Sequence, residues 1–136
     1  MDELHRVVNE LNEIINPIKI EVVENQNDAN FIIYLTNENQ YTQIEPEEKQ
    51  KIINNWGLFV VHGGKRIHKG TMYVDFERCT SIDGQKHLLR EELTQSLGLM
   101  NDSYDYPESI FYQKWSETTE YSPIDRALID MLYNHW

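Results

Sequence analysis

The sequence predicts a single α+β domain, and three observations predict it. An apolar stripe at helical spacing opens the chain, segments with strand patterning occupy much of residues 1–80, and two further helices with end signals fall within residues 81–136. A chain of 136 residues, 40% of them hydrophobic, can offset its chain entropy with one core and gives no sign of a second.

Leu4, Val7, Val8, Leu11, Ile14 and Ile15 recur every three or four residues, the period of a helix with one buried face, and Asn16-Pro17 closes it because a residue before proline disfavours the helical region. Ile18, Ile20 and Val22 then alternate with Lys19 and Glu21, the period of a half-buried strand. Phe31-Ile32-Ile33-Tyr34-Leu35 is an unbroken apolar run, expected as a central strand. A polar stretch runs to Glu45, and Pro46-Glu47-Glu48 opens a short helix, with proline and acids where free amides and the helix dipole favour them. Leu58–Val61 and Thr71–Phe76 read as a hairpin whose connection contains Gly63-Gly64, with Thr71, Tyr73 and Asp75 on one face.

A helix is predicted over about 85–97, with Leu89, Leu93 and Leu97 on one side and Gly98 as its C-terminal cap. The last helix is signalled by Ser122 as cap, Pro123 in the first turn, Asp125 completing an S-x-x-D box, and a stripe of Ile124, Ala127, Leu128, Met131 and Leu132. Between Asn101 and Tyr121 lies a loop rich in Tyr, Ser, Pro and acidic residues, long enough to suggest a functional or organised irregular segment.

There are 23 acidic against 12 basic side chains, a formal net charge of -11, and the basic residues are scattered. Nucleic acid and anionic membrane surfaces are therefore not expected as partners. Cys79 is the only cysteine, so no internal disulfide and no multi-thiolate metal site can form, and a packed thiol is expected. No apolar run approaches the roughly 20 residues that span a bilayer, so no membrane insertion is expected. The charged start Met1-Asp2-Glu3-Leu4-His5-Arg6 does not read as a secretory signal. Localisation stays open, extracytoplasmic if a leader preceded this start.

The segment Glu91-Glu92-Leu93-Thr94-Gln95-Ser96-Leu97-Gly98-Leu99-Met100-Asn101 resembles the metzincin zinc signature H-E-x-x-H-x-x-G-x-x-H, with the register set by Glu92 and Gly98. Ser109-Ile110-Phe111-Tyr112 is similar to the turn that carries a methionine beneath the metal in that group, with Phe111 in the methionine's place. Tyr121–Asp125 through Met131-Leu132-Tyr133 resembles the closing helix of matrixin-like members, and Asp28–Leu35 and Gly70–Phe76 resemble that fold's strands, the second bordering the substrate cleft. The whole is most similar to a bacterial family of unknown function, grouped with metzincin-like peptidases, that carries E-E-L-T-Q-x-L-G-L-x-N-D followed by S-I-F.

The resemblance implies a metzincin-like (zincin) domain with a twisted mixed sheet, and it places Glu91, Gln95 and Asn101 at the ligand positions and Glu92 at the general base. Zinc in a peptidase sits on neutral imidazoles and acidifies a bound water that the glutamate deprotonates. One carboxylate and two amides are a poor zinc set, so Glu92 is expected to be idle and no cofactor is expected. The alternatives are calcium on oxygens of Glu91, Gln95, Asn101 and Asp102, or a site built from His87 with His62 or His68. Otherwise Glu91, Gln95 and Asn101 form a hydrogen-bonded polar cluster, and His87 is a partly exposed surface residue.

The function expected on this basis is an inactive relative of zinc peptidases that holds an extended peptide or a protein by strand addition, its cleft formed by Thr71, Tyr73, Asp75, Phe111, Tyr112 and Trp115. A metal-dependent hydrolase with oxygen ligands and a structural domain of a cell-envelope protein are the alternatives. Trp56 and Trp136 are expected to pack in the core, leaving Trp115 as the tryptophan available to a ligand.

Overall fold

Asp2–Ile14 forms helix α1, which buries Val7, Val8 and Leu11 as the stripe predicts. The structure, a computed structural model, describes residues 2–15, 19–62, 69–98, 106–112 and 114–134. Among the described residues, five α-helices and a three-stranded mixed sheet make up the α+β fold. After α1 come strand β1 (Phe31–Thr36), helices α2 (Glu38–Ile44) and α3 (Lys49–Asn54), strands β2 (Gly57–His62) and β3 (Lys69–Asp75), and helices α4 (Ile82–Ser96) and α5 (Pro123–Asn134). Among the described residues no helix is long and apolar enough to cross a membrane.

The sheet order is β1-β3-β2, with β1 parallel and β2 antiparallel to β3. Alternation along β3 separates two cores. Met72 and Val74 face α4 and join Val7, Leu11, Leu88, Leu89, Leu93, Ile110 and Ile129 in the main core, against which α1 and α5 pack. Tyr73 faces the other way and joins Tyr41 of α2 and Ile52 of α3, with Tyr34 and Leu58 alongside. The Tyr41 and Tyr73 rings stack with centroids 4.4 Å apart.

Several elements depart from the sequence reading. Residues 19–24 are not a strand: the Asn12 side-chain amide takes both backbone polar groups of Ile20, each at 2.8 Å, so the alternating pattern satisfies itself against α1 instead of a ladder. Ile18 lies outside the described residues, and Val22 is exposed. β1 is an edge strand, not a central one; its continuous apolar run reflects cover on both faces, with Phe31 and Ile33 on the main core and Tyr34 on the tyrosine side. The polar stretch before Glu45 contains α2, whose cap is the Asn37 side chain accepting from the Gln40 N–H at 2.9 Å and whose buried anchor is Tyr41 alone. One buried residue leaves no period to read.

α4 starts three residues before the predicted Gln85, because Ser81 accepts from the Gly84 N–H at 3.1 Å. Gly98 has φ +128°, a conformation that L side chains rarely adopt. In α5 the capping box forms in both directions, Asp125 N–H to Ser122 Oγ at 3.2 Å and Ser122 N–H to Asp125 Oδ2 at 3.0 Å. The buried face, however, is Asp125 and Ile129, while Leu128 and Met131 are exposed. Of the predicted stripe, Ile124 and Leu132 are half-buried and the rest is turned outward, because Asp125 is drawn inward by other donors, described next.

Candidate functional site

α4 is buried on nearly all sides, and its polar residues are held by the elements around it. His87, expected at the surface, is only 2% exposed. Its Nδ1 lies 2.7 Å from the Thr118 carbonyl and its Nε2 lies 2.9 Å from Glu91 Oε2. A carbonyl only accepts, so Nδ1–H donates to Thr118, and Nε2 faces the Glu91 carboxylate. His87 thus ties α4 to the Thr118 backbone and engages Glu91, the first of the expected ligand positions.

Glu92 and Gln95 are buried, at 9% and 4% exposure. The Glu92 side chain packs where β2 begins: a Cβ on Gly57 would come within 3.2 Å of Glu92 Cγ and 3.1 Å of Leu88 Cδ2, so the glycine permits β2 to approach α4 this closely. Asn101 and Asp102 lie outside the described residues, as does His68. His62 points to Glu45, with Nε2 3.9 Å from Oε1, on the tyrosine side of the sheet. Among the described residues no group of three or more His, Cys, Asp and Glu is gathered for a metal ion. Glu91 supplies one carboxylate already engaged by His87, and Gln95 supplies an amide. This set does not fit zinc.

Glu91, Glu92, Gln95 and His87 line a cleft of about 550 Å³ between α4, the Asn54–Phe59 segment and the Tyr112–Trp115 segment. Its rims carry two indoles: Trp56 and Trp115 meet edge to face with centroids 5.5 Å apart, 41% and 53% exposed. Trp56 was expected in the core, but it follows α3 at the point where the chain turns into β2 and lies at the surface; Trp136 lies outside the described residues. The Trp115 ring also meets the edge of His87 at 6.0 Å and lies over Gly84, whose added Cβ would sit 3.1 Å from Trp115 Cζ2. The same Cβ would be 3.0 Å from Cys79 Sγ, a buried thiol that desolvation pushes up from its ordinary pKa.

Of the other residues expected in the cleft, Tyr112 and Trp115 line it, and Phe111 is 3% exposed within the main core. Thr71, Tyr73 and Asp75 are elsewhere, a correction with a simple cause: they occupy the face of β3 that looks away from α4, and β3 is the central strand. Thr71 Oγ1 donates to Glu45 Oε1 at 2.8 Å and accepts from Tyr41 OH at 2.8 Å. Asp75 is 1% exposed; Oδ1 accepts from the Glu77 and Arg78 N–H groups at 3.0 Å, and Oδ2 from Arg78 Nε at 2.7 Å. Arg78 then donates to the carbonyls of Ile53 (2.6 Å), Ile52 (2.8 Å) and Asn55 (2.9 Å), closing the end of α3. These three residues hold the layer behind the sheet.

The strand that borders the cleft is β2, an edge of the sheet among the described residues. The Asp75 N–H donates to the Trp56 carbonyl at 2.7 Å, so Trp56 and Asp75 form a hydrogen-bonded pair, and the antiparallel alternation directs the backbone groups of Gly57, Phe59 and Val61 away from β3. The opposite wall is anchored by Asp125. Its carboxylate, 0% exposed, accepts from Ser109 Oγ at 2.5 Å and the Ile110 N–H at 2.8 Å as well as from Ser122, while Ser109 Oγ accepts from the Phe111 N–H at 3.0 Å. The Ser109-Ile110-Phe111 turn is therefore fixed to α5 just before Tyr112 and Trp115.

Arg90 carries no motif signal and is 0% exposed. Its guanidinium lies 4.4 Å over the Tyr121 ring, with Nη2 donating to Glu10 Oε2 at 2.6 Å. A buried charge of this kind is recognisable only once the packing of α1 and α5 on α4 is known.

Comparison with curated proteins and with solved structures finds no significant match. A protein-family model described as "Protein of unknown function (DUF2927)" matches residues 1–135. The chain that builds this cleft from α4, β2 and the Tyr112–Trp115 segment is a member of the DUF2927 family.

Proposed function

We propose that this domain is a non-catalytic relative of the metzincin-like peptidases that holds an extended peptide in the cleft beside α4, by strand addition to β2, without cutting it. The observation that carries the reading is the state of the motif helix. Its first ligand position, Glu91, is engaged by His87, its second is an amide, and the glutamate at the general-base position, Glu92, packs against Gly57. A polar cluster holds the helix in place of a metal, and Glu92 has no acidified water to act on. The cleft is nonetheless retained, with an edge strand on one side and aromatic rims, the features with which a sheet edge takes up an added strand.

The order of the elements supports the affiliation. The motif helix is followed by a serine-led turn that is tied to an aspartate of the closing helix, and Gly98 bends the chain after the motif helix. Plasma mass spectrometry of unchelated protein, with mass-spectrometric scoring of a peptide library incubated with zinc and with calcium, tests the proposal. Peptides recovered intact and no stoichiometric cation are the expected result. A stoichiometric cation together with cleavage abolished by Glu92→Gln would overturn it.

A further inference from the structure

Resting on the peptide-binding reading, we infer that the cleft selects a segment bearing a lysine or arginine side chain, which lies across the Trp56–Trp115 pair with its cation toward the acidic α4 wall at Glu91. Three features of the cleft converge on this side chain. The first is the exposed indole pair. Two neighbouring tryptophans about half exposed are costly to leave in water, and their faces attract a cation through the ring quadrupole. Trp115 is also held in place, between Gly84 and the edge of His87, so little freedom is lost when it is covered.

The second is charge. Glu91 and Glu92 lie on the α4 wall, and Glu117 approaches Gly84 beside the Trp115 ring, its Oε2 3.2 Å from where a Cβ would be. Lys114 is the one lysine or arginine among the described lining residues, and it is exposed. An apolar occupant would strip water from the exposed Glu117 carboxylate and give nothing back, and an acidic one would meet like charge. The formal net charge of -11 steers a basic segment in the same direction. The third is register. Gly57 and Phe59 direct backbone groups outward next to Trp56, so a strand paired there would lay a side chain over the indoles.

The test uses three fluorescein-labelled octapeptides of alternating threonine and valine that differ at one central position, arginine, norleucine or glutamate, titrated against the full chain by anisotropy. The arginine peptide is expected to bind about tenfold more tightly than the norleucine peptide, with glutamate weakest. Trp115→Leu, which leaves the charge unchanged, is expected to bring arginine to within about twofold of norleucine. Saturable binding of arginine and norleucine peptides with equal affinity would overturn the cation slot and leave strand addition standing. An arginine preference untouched by Trp115→Leu would also overturn it, since surface charge alone would then account for the preference. Binding of none of the three would remove both readings. Should Trp115→Leu lose its fold by circular dichroism, Trp56→Leu makes the same measurement from the opposite rim.

Discussion

Asp125→Asn is expected to be among the most damaging isosteric changes in this chain. The carboxylate is fully buried and accepts three hydrogen bonds, from Ser109 Oγ, Ile110 N–H and Ser122 N–H. A hydrogen bond to a charged partner nets about 1.5–3 kcal/mol, and a buried donor left without an acceptor costs about 1–3 kcal/mol. Asparagine keeps one acceptor oxygen and turns an NH2 toward the remaining donors, and bonds sharing one carboxylate do not add. A loss of about 3 kcal/mol follows, a large part of the roughly 5–15 kcal/mol that a domain of this kind possesses. Urea unfolding followed by tryptophan fluorescence should show the midpoint falling by about 2 M for an m-value of about 1.5 kcal/mol/M that itself does not change. Ser122→Ala, which removes only the cap to the Asp125 N–H, should cost about 1 kcal/mol. If Asp125→Asn loses no more than Ser122→Ala, Asp125 is a helix cap and nothing more, and the anchoring of the Ser109–Phe111 turn is refuted.

Other expectations follow from the same geometry. Gln95→Leu, at a residue 4% exposed on α4, should lower stability by about 1–2 kcal/mol, and an unchanged melting temperature would remove the proposed polar cluster. Arg78→Lys should cost about 2 kcal/mol, since one ammonium cannot reach Asp75 and the three carbonyls that the guanidinium fork serves, and denaturant melts of Arg78→Lys beside Arg78→Ala will show whether charge alone suffices. Desolvation pushes the Tyr73 and Tyr121 phenols up from 10.0 to about 12 and raises Tyr41 as well. A raised folded pKa means that this stability is intact below pH 10 and lost as pH rises from 10 toward about 12. The melting temperature should therefore fall across that window, with buried phenols ionising as the chain unfolds. Eight tyrosines titrating together near pH 10 with no change in melting temperature would contradict it.

Legibility in the sequence divides along physical lines. α1, the β2–β3 hairpin, α4 and the α5 capping box rest on local signals, periodicity and caps, and these are readable one segment at a time. β1 misleads because an apolar run reports cover on both faces, which an edge strand between two layers of helix also has. Residues 19–24 mislead because alternation cannot tell a partner strand from the amide of Asn12. The α5 stripe fails where polar anchoring outweighs hydrophobic pattern: Asp125, fully buried, fixes the rotation of the helix and leaves Met131 62% exposed.

At the site, Glu91, Glu92 and Gln95 fall on one helix, and Tyr112 and Trp115 line the cleft beside it. The face of β3 that carries Thr71, Tyr73 and Asp75 is a tertiary fact, decided by which side of the sheet α4 covers. The burial of His87 and Arg90 likewise depends on Thr118, Glu10 and Tyr121, each 31 or more residues away along the chain.

The most direct test of the peptide-holding account is an amide spectrum of the labelled protein titrated with an extended basic peptide, the peptide's mass being checked at the end. The account predicts that the Gly57, Phe59 and Val61 amides shift and become protected from exchange, with the peptide recovered whole. Shifts confined to other surfaces, or a peptide found cut, would contradict it.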